Sequence, residues 1–246
     1  MDMPGYIVLS RLAAQRRATD ALAANVANAD TPAFKASQTV FATQLAGRDG
    51  AGALGGRPVA FAQDRATWRD FSPGPLQTTG NPLDLALTGE GFFAVQTPDG
   101  ERYTRAGRFA LSPEGGVVDA AGHAVLDAEG APLLIPQGAA RIEIAGDGTL
   151  ATEAGPVGRL RVVNFANPQL LQAEGDRLYV APPEAAPQPV ERAAVVQGAV
   201  EGSNVRPVLE LTRLTAELRE FQFAAQFAEK EGERVQSAVE RILRRR

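Results

Sequence analysis

The chain has 246 residues, 44% apolar and 22% charged, enough for one large domain or two modest ones with a proper core. A formal charge of −4 and an isoelectric point near 5.2 exclude a general nucleic-acid binder, which carries a basic stripe. The absence of cysteine excludes disulfides and thiol catalysis, and the lack of an apolar run of about 18 residues argues against direct membrane insertion. Residues 1–20 lack the basic start, continuous apolar stretch and small-residue site of a cleaved signal. The expectation is a protein that stays inside or leaves by a route that reads no cleaved signal.

Residues 4–29 have helical character. Val8, Leu12, Gln15, Thr19, Leu22 and Val26 recur in steps of three and four, but the stripe is only half apolar. Asn25 and Asn28 sit three apart near its end, although Asn is a mediocre helix former. Asp30-Thr31-Pro32 then stops the helix. Residues 36–67 are read as an extended connecting segment, Gly-rich at 47–58.

From 68 to 180 short apolar runs alternate with turn signals. Leu83-Asp84-Leu85-Ala86-Leu87 alternates like a half-buried strand, and Phe92–Val95 leads into the turn Pro98-Asp99-Gly100. Further turns fall at 113–116, 122, 127–130 and 146–148, which predicts a β domain of sandwich or barrel-like form. Residues 181–200 read as a Pro-rich return linker and connecting strand.

The C-terminal segment has the strongest period. Leu211, Leu214, Leu218, Phe221, Ala225, Ala228, Gly232, Val235, Val239 and Ile242 form a heptad seam with charges kept off it. Over about 39 residues such a helix spans about 58 Å. Pro207 suits its first turn, Ser203 or Asn204 caps it, and Arg241 and Arg244 complement its dipole. Phe223 and Phe227 add a second apolar stripe, so the helix expects more than one neighbour. The fold class read from this pattern is α+β. Terminal helical segments, 1–35 and 201–246, pack together as an assembly domain, and a mainly β domain is inserted between them.

Nothing in the residues points to catalysis. His123 is the only imidazole and lies in a turn-like Ala121-Gly122-His123-Ala124, so neither a triad nor a zinc site has its ligands. Gly89-Glu90-Gly91 lacks phosphate-loop spacing, and Asp147-Gly148-Thr149 lacks the remaining ligands of a calcium loop. No catalytic, cofactor or metal residue is assigned.

Four stretches, in order, resemble the axial proteins of the bacterial flagellum. They are 24–35 (ANVANADTPAFK), 80–93 (GNPLDLALTGEGFF), 103–109 (YTRAGRF) and 201–205 (EGSNV). Within that family, Met1-Asp2, Tyr6, Leu9-Ser10 and residues 204–213 are most similar to the proximal rod type. The distal rod type is the close alternative. Ala33 departs from the pattern, standing where Gly is usual, and Gly reaches positive φ at lower cost. The resemblance implies a structural, non-enzymatic rod subunit that transmits torque from motor to hook and is required for motility. It implies a basal-body location spanning the periplasm and export through the flagellar apparatus without a cleaved signal. The implied partners are proximal and distal rod subunits, with no nucleic acid and no cofactor. The residues expected at subunit contacts are Asn25, Asn28, the seam from Leu211 to Ile242, Phe223 and Phe227. A secreted wall-binding or wall-cleaving protein is the reading from another class.

Overall fold

A computed structural model describes residues 3–46, 59–139, 141–175, 177–190 and 193–244. The Gly-rich stretch 47–58 lies outside the described residues. The fold is α+β and divides into two compact units, each with its own contacts.

The first unit holds two helices and a hairpin. Helix α1 spans Met3–Ala27, and α2 spans Pro207–Leu243, 37 residues or about 55 Å. Strands β1, Ser37–Ala46, and β2, Val59–Arg69, pair antiparallel, with Ser37 opposite Arg69 and Ala46 opposite Val59. The segment expected as an extended connection is therefore extended and paired with itself. A register shift at Val40/Phe41 adds a bulge to the hairpin. Helix α1 packs on both α2 and the hairpin. Its buried positions are Ala14, Gln15, Ala18 and Asn25, a face of small and polar side chains. Small residues let helix axes approach closely, and here they lie on α1; Gly232 of α2 is exposed.

The second unit is β-rich and comprises residues 28–36 and 70–205. Its centre is the hairpin Phe92–Thr97 with Gly100–Thr104, closed by the turn at Pro98-Asp99. Leu178–Val180 and Gln172–Glu174 extend the sheet beyond Gly100–Thr104. Ala124–Val125 and Val162–Asn164 pair with Phe92–Thr97. A separate meander joins Ile142–Ile144, Thr149–Thr152 and Gly155–Arg159; its first turn carries Gly148 at φ 85°, with the Asp147 carboxylate accepting the Thr149 N–H. Asp147-Gly148-Thr149 is thus a hairpin turn.

Two expectations change in this unit. Leu83–Leu87 is buried at every position, not on alternate ones, because Leu85–Leu87 pairs with Val195–Gln197 inside the core. Asp84 tolerates burial through Asn81 Nδ2, 3.1 Å from its carboxylate. The Pro-rich segment stays on the sheets. Gln188–Pro189 pairs with 163–164, and Ala199–Glu201 pairs with Leu76–Thr78. Proline takes an edge position, where a missing N–H costs little.

The core has two parts. One packs Leu85, Leu87, Phe93, Val95, Val125 and Leu150. The other is aromatic, with Phe92 in edge contact with Phe71, Phe165 and Tyr179 at ring distances of 5.6 to 5.7 Å. Tyr103 joins it, 4.9 Å from Phe165. Burial, then the charge and hydrogen bond of Glu101, push the Tyr103 phenol up to about 12. The folded chain therefore favours the neutral phenol, and this contribution is complete below pH about 10 and is lost as pH rises to about 12. Its size is about 2 kcal/mol. An alkaline titration followed by tyrosine absorbance should show a late phenol that disappears in Tyr103→Phe, and that variant should lose stability less steeply above pH about 10. A wild-type titration with every phenol near pH 10 would contradict this.

Candidate functional site

In the helical unit the conspicuous amide of α1 is spent inside the chain. Asn25 is 1% exposed. Its Oδ1 accepts the Ser37 N–H at 2.9 Å, and its Nδ2 donates to Ser37 O at 2.9 Å and to Glu210 Oε2 at 3.0 Å. Asn25 thereby ties α1 to the start of β1 and to the first turn of α2. Only an amide offers donor and acceptor together for this pattern. Glu210 is itself buried and also takes Arg213 Nη1 at 3.1 Å. Lower on the pair, Glu220 faces Arg11 and Gln15 at 3.4 and 3.5 Å, so the α1–α2 seam is largely polar.

The exposed side chains of α2 are the reverse. Val208, Leu209, Leu211, Leu218, Phe223, Phe227 and Leu243 are all exposed, Val208 by 80% and Phe223 by 71%. Glu210 is the one buried residue among the described side chains of this helix. Of the seam residues, Leu214, Phe221, Ala225 and Ala228 are half-buried, and Gly232 is exposed. Val235, Val239 and Ile242 lie outside the described side chains. A helix that buries a carboxylate and exposes leucines and phenylalanines inverts the usual pattern of a soluble protein.

In the β-rich unit, two distant stretches meet. Asn28 begins the turn after α1; its carbonyl accepts the Thr31 N–H and its side chain the Thr31 hydroxyl at 3.2 Å. Ala33 holds φ 60°, the left-handed conformation for which Gly was expected. The turn is retained with a Cβ in place, at a cost of about 1 kcal/mol. The Ala33 N–H donates to Glu201 O at 2.8 Å. Lys35 and Glu201 then pair with both side chains fully buried, Nζ to Oε1 at 2.5 Å. Lys35 also donates to Ser72 O at 2.8 Å, and the Gly74 N–H donates to Glu201 Oε1 at 2.9 Å. Arg105 approaches Glu201 Oε2 at 3.5 Å and lies over the Phe92 ring at 5.4 Å. Asn204 completes the clasp, accepting from the Ala36 N–H and donating to Asp70 O, both at 2.8 Å. It is spent here, while the Ser203 hydroxyl accepts the Val205 N–H.

The chemistry of the clasp is two cations on one carboxylate. Burial pushes the Lys35 ammonium below the usual lysine range, with Glu201 opposing that shift. Burial also weighs against the Arg105 charge, and Glu201 again opposes it. The residues 33–36 and 201–204, more than 160 positions apart, are thus fixed to each other and to 70–74. Sequence reasoning quoted Lys35, Arg105 and Glu201 inside motifs and gave none of them a role, and it offered Asn204 only as a helix cap. The only available signal was their recurrence in motifs whose spacing fits no catalytic set.

His123 lies in a turn, with Nδ1 2.9 Å from Asp119 Oδ2. Among the described residues, no three His, Asp or Glu side chains are grouped to hold a metal ion, and no helix is long and apolar enough to cross a membrane.

Comparison with known proteins fits the helical termini and the β-rich middle. Residues 6–35 match the flagella basal body rod protein model, 86–152 the flagellar hook protein FlgE/F/G D1 domain, and 196–241 the flagellar basal body rod FlgEFG protein C-terminal model. The chain is 39% identical to the flagellar basal-body rod protein FlgF of Caulobacter vibrioides, over 98% of both chains. It is 36% identical to FlgF of Salmonella typhimurium, over 81% of this chain and 82% of the relative. Identity to the flagellar basal-body rod protein FlgG of Bacillus subtilis is 31%, over 82% and 85%. Helices at both ends, a D1-type β unit and identity along nearly the whole length place this chain in the flagellar basal-body rod protein family, with FlgF as its type.

Proposed function

We propose that this chain is a structural subunit of the flagellar rod, of the proximal FlgF type, and that it carries torque from motor to hook through contacts between subunits. The observation that supports this most is the set of exposed apolar side chains on more than one face of α2, with Leu218 44%, Phe223 71% and Phe227 54% exposed. Leaving a large side chain of this kind in water forgoes about 1.5–3 kcal/mol of burial. Packing against neighbouring rod subunits, proximal and distal, recovers it.

In this reading, Leu211, Leu214, Leu218, Phe221, Phe223, Ala225, Phe227, Ala228, Gly232, Val235, Val239 and Ile242 meet neighbours. Asn28 is also assigned to a subunit contact. Asn25 acts from within by fixing the register of α1 and α2. The chain travels through the flagellar export apparatus and works in the basal body, across the periplasm, without catalysis. Identity to FlgF of Caulobacter vibrioides, 39% over 98% of this chain, exceeds the 31% over 82% to FlgG of Bacillus subtilis, which favours the proximal over the distal type.

Leu218→Asp tests this. The residue is exposed, so the single chain should fold with unchanged circular dichroism, while incorporation into basal bodies and swimming should be lost. Normal motility in that variant would remove the role assigned to α2.

A further inference from the structure

The two arginines in 103–109 have opposite fates. In this stretch Tyr103, Arg105, Gly107 and Phe109 are buried, and Arg105 is spent on Glu201. The alternate residues Thr104, Ala106 and Arg108 line an open cavity of about 370 Å³ with Asp119, Ala121 and Arg177. The motif thus has one set of side chains spent in the core and on Glu201, and another that lines the cavity, to which the rod reading assigns no role.

The cavity has an unspent positive charge. Among the described residues, neither the Arg108 nor the Arg177 guanidinium has a hydrogen-bond or ion-pair partner. Asp119 is committed: its Oδ1 accepts the Ala121 and His123 N–H groups at 2.9 Å, and its Oδ2 faces His123 Nδ1. Arg177 holds φ 63°, a left-handed conformation that L side chains rarely adopt, and Thr104 Oγ1 fixes its carbonyl at 3.0 Å. Strain of this kind gathers at ligand clamps.

We propose that this cavity receives a single carboxylate side chain, Asp or Glu, carried on an exposed loop of a partner polypeptide. Two guanidiniums and one committed carboxylate leave a net charge of one, which matches a monoanion and not a phosphate dianion. The guanidinium fork suits a carboxylate in a bidentate pair. Ala106 and Ala121 give the methylene stem apolar contact, and the volume admits the side chain with its flanking peptide.

The test titrates the full chain with acetyl-Ala-Glu-Ala-amide while amide shifts are followed by nuclear magnetic resonance. The Gln counterpart and inorganic phosphate serve as parallel arms. Saturable shifts are expected at Thr104, Ala106, Arg108, Ala121 and Arg177, at least about tenfold weaker with the Gln peptide. They should vanish in Arg108→Gln/Arg177→Gln, whose remaining amide spectrum reports that the fold is kept. Equal response to both peptides, tighter saturation by phosphate, or an unchanged response in the double variant would overturn the proposal. The wild-type comparison of Glu and Gln peptides stands even if the variant does not fold. None of these outcomes depends on α2, so their failure leaves the rod reading intact.

Discussion

Glu201→Gln is expected to destabilise the folded chain by about 3–5 kcal/mol, measured by denaturant unfolding. The substitution preserves shape but removes the carboxylate that, among the described residues, hydrogen-bonds the buried Lys35 and Arg105. Desolvation already weighs against both charges, so the loss of their shared counter-charge leaves two buried cations with only the weaker attraction of Asp70 on Lys35 and Glu90 on Arg105. The folded-to-unfolded ratio should fall by roughly two to four orders of magnitude. A second variant separates the charge from the packing. Lys35→Met, Arg105→Met and Glu201→Leu together should recover most of the loss, because an apolar cluster of similar volume often matches a buried ion group. A single variant within about 1 kcal/mol of wild type would mean that the clasp is not the lock between residues 33–36 and 201–204.

Gly107→Ala should be comparably damaging for a different reason. A Cβ built there falls 1.7 Å from the Leu85 carbonyl oxygen and 2.7 Å from its carbon. Both are backbone atoms and no rotamer relieves them. The Leu85 N–H donates to the Gly107 carbonyl at 2.7 Å, so moving one segment also breaks the bond that joins them. Overpacking and the lost hydrogen bond together cost about 3 kcal/mol or more. Gly232→Ala is the contrasting case. This glycine is helical and exposed, and an added Cβ there meets nothing within 4 Å. It should gain about 0.5–1 kcal/mol in the isolated chain. Thermal unfolding of both variants checks the pair, and the same sign in both would contradict the account.

Both terminal helices were readable from the sequence because a 3.6-residue period is a local property. The outward apolar stripe of α2 follows from the same period, as Phe223 and Phe227 could not share one face with Leu218. The hairpin turns were readable from Gly100 and Gly148, which hold φ 112° and 85°. The clasp was not. Lys35 and Glu201 are 166 residues apart, and no local pattern tells a buried lysine where its carboxylate lies. The burial of Asp84 was hidden for a similar reason, since alternation with a charge predicts a wet face unless a partner such as Asn81 is known. The stretch 181–200 looked like a linker because proline and small residues serve equally in linkers and at strand edges. The polar partners of Asn25 are also nonlocal, with Glu210 lying 185 residues away.

These features give the two ends of the chain distinct tasks. The inner seam of α1 and α2 is polar and specific, built on Asn25, Glu210 and Glu220. Buried amides penalise misregistration because each unpaired group costs about 1–3 kcal/mol. The outer face of α2 is apolar and available to neighbours. A subunit with this division holds its own register before it meets the others.

The most direct measurement is a density map of the assembled basal body in which this subunit is traced. The account predicts that both exposed apolar stripes of α2, Leu211 with Leu218 and Phe223 with Phe227, are covered by neighbouring rod subunits. A map that shows Phe223 and Phe227 in open solvent within the rod, or a rod that lacks this chain, would contradict it.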